Sequence, residues 1–165
     1  MKLTPHSEVW HQLFAEEAAR LRDAVGEHVL AIEHVGSTAV CGLSAKPIID
    51  IAVAVRGVVD VGRRLTPLEN IGYEHRGEWG IPGRRLFVKG EPRTHHLHMV
   101  EAGGDLWRNY LLFRDRLRRS AEVAEAYERL KRELAREHED DREAYTAGKA
   151  SFIEDVLRAV ESDGA

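Results

Sequence analysis

Residues 34 to 50, HVGSTAVCGLSAKPIID, place a glycine, hydroxyl side chains and a lysine just before a strand that contains one acid. Glycine lets a backbone approach a phosphate closely, while exposed N–H groups and the Ser37 and Thr38 hydroxyls can donate to its oxygens. The spacing is not that of a Walker P-loop, because the G-x-x-x-x-G-K-[ST] pattern is absent. We therefore interpret Gly36, Ser37 and Thr38 as a candidate phosphate turn, with an ordinary tight turn as the alternative.

Asp50 is the acid in the otherwise apolar run IIDIAVAV, thirteen positions after Ser37. A carboxylate is costly to bury unless it is paired, hydrogen-bonded or bound to a metal. We interpret Asp50 as the candidate catalytic residue and metal ligand. The alternative is that Asp50 accepts hydrogen bonds from the turn or from Lys46 and only fixes the loop.

Histidines in the segment THHLHMVE are further candidate metal ligands. Alternation along a strand puts His96 and His98 on the same face. With Asp50 they would form a His-His-carboxylate set suited to Zn, Mn or Fe better than to Mg alone, with Glu33 or Glu101 as additional ligands. The alternative is that the histidine row faces solvent or hydrogen-bonds across the sheet.

Basic side chains supply the positive charge that a phosphate site needs. Lys46 lies in the opening stretch, Lys149 lies near the end of the chain, and Arg114 and Arg118 share one helical face at i and i+4. A guanidinium group binds phosphate oxygens in a bidentate manner and an ammonium group binds them as a point charge, so we expect Lys46, Arg114 and Lys149 to contact a ligand. The alternative is that these charges belong to solvated helix faces, as most charge runs do.

The elements that must position these residues follow from apolar periodicity. The pattern predicts strands at 28–35, 48–55, within 71–83, at 84–90 and at 94–101. It predicts helices at 7–25 and 58–69, and an almost wholly helical chain from 105 onward. This order predicts an α+β fold with a mixed central sheet flanked by helices, and it disfavours a purely parallel Rossmann arrangement.

Length and charge restrict the class of protein. A chain of 165 residues is expected to form one domain. Its net charge of -4 argues against broad nucleic-acid binding and favours a small anionic ligand. The single cysteine, Cys41, and the lack of a signal-peptide core predict a cytoplasmic protein, and no apolar run is long enough to predict a membrane span.

The stretch EHVGSTAVCGLSAKPIIDIAV resembles the signature of the GrpB family. The resemblance continues through HHLHMVE, LLFRDRLR, the Tyr127–Lys131 region and the pattern formed by Tyr145, Lys149, Phe152 and Ile153, so it covers nearly the whole chain. That family is placed in the nucleotidyltransferase superfamily, where a Gly-Ser turn precedes a strand with metal-binding acids. The resemblance implies a single nucleotidyltransferase-like domain over 1–165, a nucleotide or phosphorylated small molecule as ligand, and Mg, Mn or Zn as cofactor.

Ala52 departs from the superfamily pattern, because active members usually carry two acids as D-x-[DE] on this strand. A pair of metals bridged by paired carboxylates cannot be built from this strand alone. Three hypotheses follow: metal-dependent nucleotidyl transfer, a catalytically inactive phosphate-binding regulatory module, or a His/Asp metal-dependent enzyme with another substrate. Cys41 also stands where the family commonly has proline.

Overall fold

A computed structural model of the chain describes residues 2–61 and 66–163, in which five strands form one mixed sheet. The strands are β1 (Val29–Val35), β2 (Ile49–Val55), β3 (Tyr73–His75), β4 (Arg85–Lys89) and β5 (His95–Glu101). Their order across the sheet is β1-β2-β5-β4-β3. Only β2 and β5 run parallel among these neighbours, and the other pairs are antiparallel. The predicted α+β fold with a mixed sheet is therefore confirmed.

Helices flank the sheet and fill the C-terminal part of the chain, as predicted. Within the described residues they are α1 (Val9–Val25), α2 (Val58–Val61), α3 (Thr66–Asn70), α4 (Asp105–Arg119), α5 (Ala121–Glu137) and α6 (Arg142–Ser162). The helix predicted at 58–69 is thus observed as α2 and α3, while residues 62–65 of that prediction lie outside the described ranges. No helix in the described ranges combines the length and apolarity that a bilayer crossing requires.

The larger hydrophobic core lies between the sheet and α1. Strand β2 is central, so its side chains are covered on both faces, and Ile51 and Val53 are almost fully buried. On the α1 side they pack with Trp10 and Leu21, which the three- and four-residue spacing of α1 brings onto one face. This apolar layer fixes which face of β2 is left for polar side chains.

The opposite face of the sheet carries the candidate site residues. Asp50 pairs in register with Val35 of β1 and His96 of β5, and Ala52 pairs with His98. Paired residues of neighbouring strands point to the same side, so Asp50, His96 and His98 share one face, as the alternation predicted. Helix α4 contacts β1, β2 and β5, so the C-terminal helices cover this face.

A buried carboxylate also anchors α1 to the far edge of the sheet. Glu17 is fully buried, and it accepts hydrogen bonds from the Tyr73 hydroxyl at 3.0 Å and from Lys89 Nζ at 2.8 Å. Burial alone would raise the pKa of Glu17, but Lys89 and His95 outweigh burial and lower it. The ionised Glu17 therefore ties α1 to β3 and β4 and contributes to holding the sheet in place beneath the site.

Candidate functional site

The phosphate turn begins at Gly36, directly after β1, and continues as a 3-10 turn over Ser37–Ala39. Gly36 has a φ of +75°, which disfavours any residue with a side chain. A Cβ atom at Gly36 would lie 2.6 Å from Oδ2 of Asp50, well inside van der Waals contact. Glycine is thus required here because the Asp50 carboxylate packs against the turn backbone.

Asp50 is held by two imidazoles from β5. Its Oδ1 accepts a hydrogen bond from His98 Nε2 at 3.0 Å, and His96 Nδ1 lies 3.7 Å from the same oxygen. Burial alone would raise the pKa of Asp50, but His96 and His98 outweigh burial and hold it well below its usual range. The carboxylate is therefore ionised, and about 30% of its side chain remains exposed.

The tautomer of His98 follows from its other ring nitrogen. Nδ1 of His98 lies 3.3 Å from Arg84 Nη1 and 3.4 Å from the Tyr110 hydroxyl. A guanidinium group can only donate, so Nδ1 is the acceptor and Nε2 carries the proton that is donated to Asp50. Arg84 in turn donates to the carbonyls of Glu78 and Trp79. This chain of contacts fixes the direction of the Asp50 carboxylate.

A cavity of about 820 Å³ opens beside this carboxylate. Basic side chains dominate its polar lining among the described residues: Lys46, Arg84, Arg93, Lys131, Arg142 and Lys149. Asp50 and Glu143 are its acids, and Ser37, Thr38, His96 and His98 also line it. Such an excess of positive charge around one small cavity attracts an anionic ligand.

Lys46 and Lys149 both contact the ring of Tyr145. Their Nζ atoms lie 4.2 Å and 4.6 Å from its centroid, within the range of cation–π contacts. Burial, followed by repulsion from Lys149 and Arg142, lowers the pKa of Lys46 to about 8. Burial also lowers the pKa of Lys149. An anion between the two ammonium groups would relieve this repulsion.

Lys131 is a cavity residue that sequence reasoning did not single out. It is 1% exposed, and its Nζ donates to Ser37 Oγ at 3.0 Å and to the Ser44 carbonyl. Burial lowers its pKa to about 8. A signal was present in the sequence, because Lys131 lies on the apolar stripe of α5, four residues after Tyr127 and three before Leu134. A lysine in that stripe must find buried acceptors.

Arg114 lies apart from the other predicted ligand contacts. It is buried, and its Nη1 donates to Glu33 Oε2 at 2.8 Å and to the His34 carbonyl at 3.1 Å. Arg114 therefore joins α4 to β1, whereas Ser37, Thr38, Lys46, Asp50, His96, His98 and Lys149 meet at the cavity. Glu33, cross-strand from Ala52, is held by Arg114, and Glu101 accepts from the backbone N–H of Val58.

The residues around Asp50 fit a divalent cation in part. The carboxylate is ionised and partly exposed, and His96 Nε2 is buried without a hydrogen-bond partner among the described residues. His98 is less available, because both of its ring nitrogens already have partners. Asp50 with His96 is thus the pair that would bind a metal here, and the assignment of His98 as a third ligand stays a prediction.

Known proteins resemble this chain over nearly its whole length. The family described as GrpB protein matches residues 1–159. The chain is 42% identical over 149 residues to UPF0157 protein YqkA of Bacillus subtilis strain 168, covering 90% of this chain but 43% of that protein. It is 39% identical over 161 residues to glutamate-rich protein GrpB of Alkalihalophilus pseudofirmus, covering 94% of this chain and 92% of that protein. The crystal structure of conserved protein GrpB from Enterococcus faecalis matches with a TM-score of 0.89 at 36% identity, covering 99% of this chain and 100% of that one.

Proposed function

The chain belongs to the GrpB family, and on that premise we propose that it is a nucleotidyltransferase-like protein that binds a nucleotide or another phosphorylated small molecule in the cavity beside Asp50. The observation that carries the proposal is the lining of that cavity, where six basic side chains meet two acids. The volume of about 820 Å³ is in the range of small-molecule sites. A phosphorylated ligand supplies the negative charge that this lining lacks.

The phosphate groups are assigned to the side of the cavity that holds Lys46, Lys149 and Ser37. The two ammonium groups both contact the Tyr145 ring, and a phosphate that replaces part of their lost hydration would favour their charged forms. Ser37 lines the same cavity, and its oxygen accepts a hydrogen bond from Lys131 Nζ. Trp79 is 60% exposed and lines the same cavity, so its ring is available to stack on a base.

Transfer chemistry at this site would use one carboxylate. Asp50 and His96 would hold a Mg, Mn or Zn ion, which neutralises phosphate charge and polarises a phosphoryl oxygen. In the proposed reaction the oxygen of an acceptor hydroxyl or water forms a bond to the α-phosphorus of a nucleoside triphosphate, the bond from that phosphorus to the bridging oxygen breaks, pyrophosphate leaves, and the acceptor's proton passes to solvent. Lys46 and Lys149 offset the charge that develops on the phosphate oxygens, and His98 keeps the Asp50 carboxylate in position.

A catalytically inactive binding module is the second candidate function, and the surroundings of Ala52 favour it. Ala52 is fully buried between Glu33 of β1 and His98 of β5. Glu33 is the neighbouring carboxylate, and Arg114 already occupies one of its oxygens. The carboxylate beside Ala52 is therefore already paired, so phosphate binding without transfer is a consistent outcome.

Calorimetric titration with ATP and with inorganic pyrophosphate, each with and without Mn²⁺, tests the proposal. We expect both to bind the wild type, and Lys149→Met to weaken binding about tenfold or more. Arg158→Met is the matched control, because Arg158 lies on the same helix, is 71% exposed and pairs with Asp155. If neither ATP nor pyrophosphate binds, the proposed function is wrong.

The same protein then separates the two candidates. Release of pyrophosphate from ATP in the presence of Mg²⁺ or Mn²⁺, lost in Asp50→Asn, would support transfer. Binding of ATP at the cavity without any turnover across a panel of acceptor hydroxyls would support the binding module instead. Asp50→Asn is close in shape to the native side chain, so its fold is checked by thermal unfolding beside the wild type.

A further inference from the structure

A second group of metal-binding side chains lies just outside the cavity. Among residues 2–61 and 66–163, one group of three His, Cys, Asp or Glu side chains has ligand atoms that all lie within 4.8 Å of one another: His6, His11 and Cys41. None of them lines the cavity beside Asp50. Cys41 follows the phosphate turn by two residues, so this group lies next to the proposed phosphate site without sharing a side chain with it.

The spacing of these atoms fits a small tetrahedral ion. Cys41 Sγ lies 3.6 Å from His11 Nε2. Zn²⁺ binds thiolate sulfur at about 2.3 Å and imidazole nitrogen at about 2.0–2.1 Å, which places the two ligand atoms roughly 3.5 Å apart at a tetrahedral angle. The observed pair therefore needs almost no movement to share one ion.

His6 supplies an independent indication of a missing ligand. Both of its ring nitrogens are buried, and neither has a hydrogen-bond partner among the described residues. The exposed carboxylate of Glu8 has an oxygen 3.4 Å from Nε2, but the two form no hydrogen bond. A buried imidazole without a hydrogen bond is unfavourable, because both ring nitrogens have lost water. A metal bound to one nitrogen would remove that cost.

The three ligands are also held together before any ion binds. Thr4 and Ala45 exchange backbone hydrogen bonds of 2.8 Å and 3.0 Å, which fixes the N-terminal segment against the stretch that contains Cys41. Trp10 is buried at the start of α1, and its ring meets the His6 ring edge-on at 5.5 Å. Because backbone and core contacts already position these segments, metal binding would require little ordering of the chain.

We propose that His6, His11 and Cys41 bind one Zn²⁺ ion, with the fourth coordination position open to solvent. Imidazole and thiolate ligands together select Zn²⁺ over Mg²⁺ or Ca²⁺. Binding converts the Cys41 thiol to a thiolate and releases its proton to solvent. Exposed Cys41 and half-buried His11 line a second cavity of about 700 Å³, which gives the ion a path of entry.

The ion would join the N-terminal segment, α1 and the phosphate turn. The His11 ring lies 5.4 Å from the His34 ring, and His34 Nε2 bonds to Thr38 Oγ1 at 2.9 Å. Thr38 lines the cavity beside Asp50. Zn²⁺ therefore stabilises the folded chain by mass action and stiffens the turn on which the proposed phosphate site depends.

Cobalt substitution in the whole 165-residue chain, reduced and metal-free, tests this site. We expect a thiolate-to-cobalt charge-transfer absorption that saturates at one Co²⁺ per chain and is removed by one equivalent of Zn²⁺. Cys41→Ser should abolish that absorption, and His6→Gln and His11→Gln should each weaken Co²⁺ binding at least tenfold. Asp50→Asn, which alters the other metal-binding group, should leave the absorption unchanged.

Several results would overturn the proposal. The proposal is wrong if Co²⁺ binds to the wild type without a thiolate absorption, or if His6→Gln binds Co²⁺ as tightly as the wild type. It is also wrong if the titration ends at half an equivalent of Co²⁺ per chain, because two chains would then share one ion. Thermal unfolding of each metal-free variant checks that a variant that has lost Co²⁺ binding is still folded. Zn²⁺ should raise the unfolding midpoint of the wild type but not that of Cys41→Ser. Failure of ATP binding would leave this outcome unaffected, because the ligands are different residues.

Discussion

Acidification should destabilise this fold through His34, and the size of the effect can be worked from its surroundings. His34 is 4% exposed, stacks on Phe14 at 4.8 Å and bonds through Nε2 to Thr38. Burial, and then repulsion from His11, lower the pKa of His34 from 6.5 to about 4 against the attraction of Asp50. The test lowers the pH and compares the resulting loss in the free energy of unfolding between the wild type and His34→Gln.

The direction follows from proton binding in the two states. Above pH 6.5 the imidazole is neutral in the folded and unfolded chains, so it contributes no pH dependence. Between pH 6.5 and about 4 the unfolded chain binds the proton and the folded chain does not. The free energy of unfolding therefore falls as pH falls, by up to about 1.4 kcal/mol per pH unit and about 3 kcal/mol in total.

Urea denaturation at a series of pH values from about 7.5 down to about 4.5 measures this slope. We expect the wild type to lose about 2 kcal/mol more than His34→Gln over that range. Equal slopes for the wild type and His34→Gln would refute the reasoning, as would an NMR titration in which the His34 ring gains its proton near pH 6.5.

Three further predictions concern the turn, the cavity and α4. Gly42→Ala should cost only the strain of a positive φ, about 1–2 kcal/mol, because nothing lies within 4 Å of its Cβ position. Gly36→Ala should cost clearly more in urea denaturation and also weaken ATP binding, since its Cβ would meet Asp50; equal losses in the two variants would contradict this contact. Pyrophosphate affinity by calorimetry should hold steady below about pH 8 and fall above it, as Lys46 loses its charge; an affinity that rises through this range would exclude Lys46 as a ligand contact. Arg114→Met should lower the free energy of unfolding by about 2 kcal/mol while ATP affinity stays within twofold, because Arg114 binds Glu33 and the His34 carbonyl; a large loss of affinity at full stability would make Arg114 a ligand contact after all.

Periodicity was sufficient to predict the sheet face that carries the site. Alternation in THHLHMVE predicts that His96 and His98 share a side, and the buried run around Asp50 predicts a central strand. In the structure the register of β2 and β5 pairs Asp50 with His96, which puts these two side chains on the same face of the sheet. The face on which each side chain lies depends on alternation within one strand, which a single sequence encodes directly, whereas the pairing of β2 with β5 joins distant segments and is seen only in the structure.

Contacts between distant segments could not be read from the sequence in the same way. Lys46 meets α6 through its contact with the ring of Tyr145, about a hundred residues away along the chain, and Lys149 contacts the same ring. The sequence around Arg114 looks the same whether its guanidinium group binds a ligand or Glu33, so the sequence pattern does not distinguish the two roles. The group around Cys41 depends on the pairing of Thr4 with Ala45, which no local periodicity indicates.

The most direct test of the proposed function is a crystal structure of the chain grown with Mn²⁺ and a non-hydrolysable ATP analogue. We predict an anomalous manganese peak within coordination distance of an Asp50 oxygen and His96, with phosphate oxygens between Lys46 and Lys149. Triphosphate density elsewhere on the protein, with the cavity beside Asp50 left to solvent, would contradict the account.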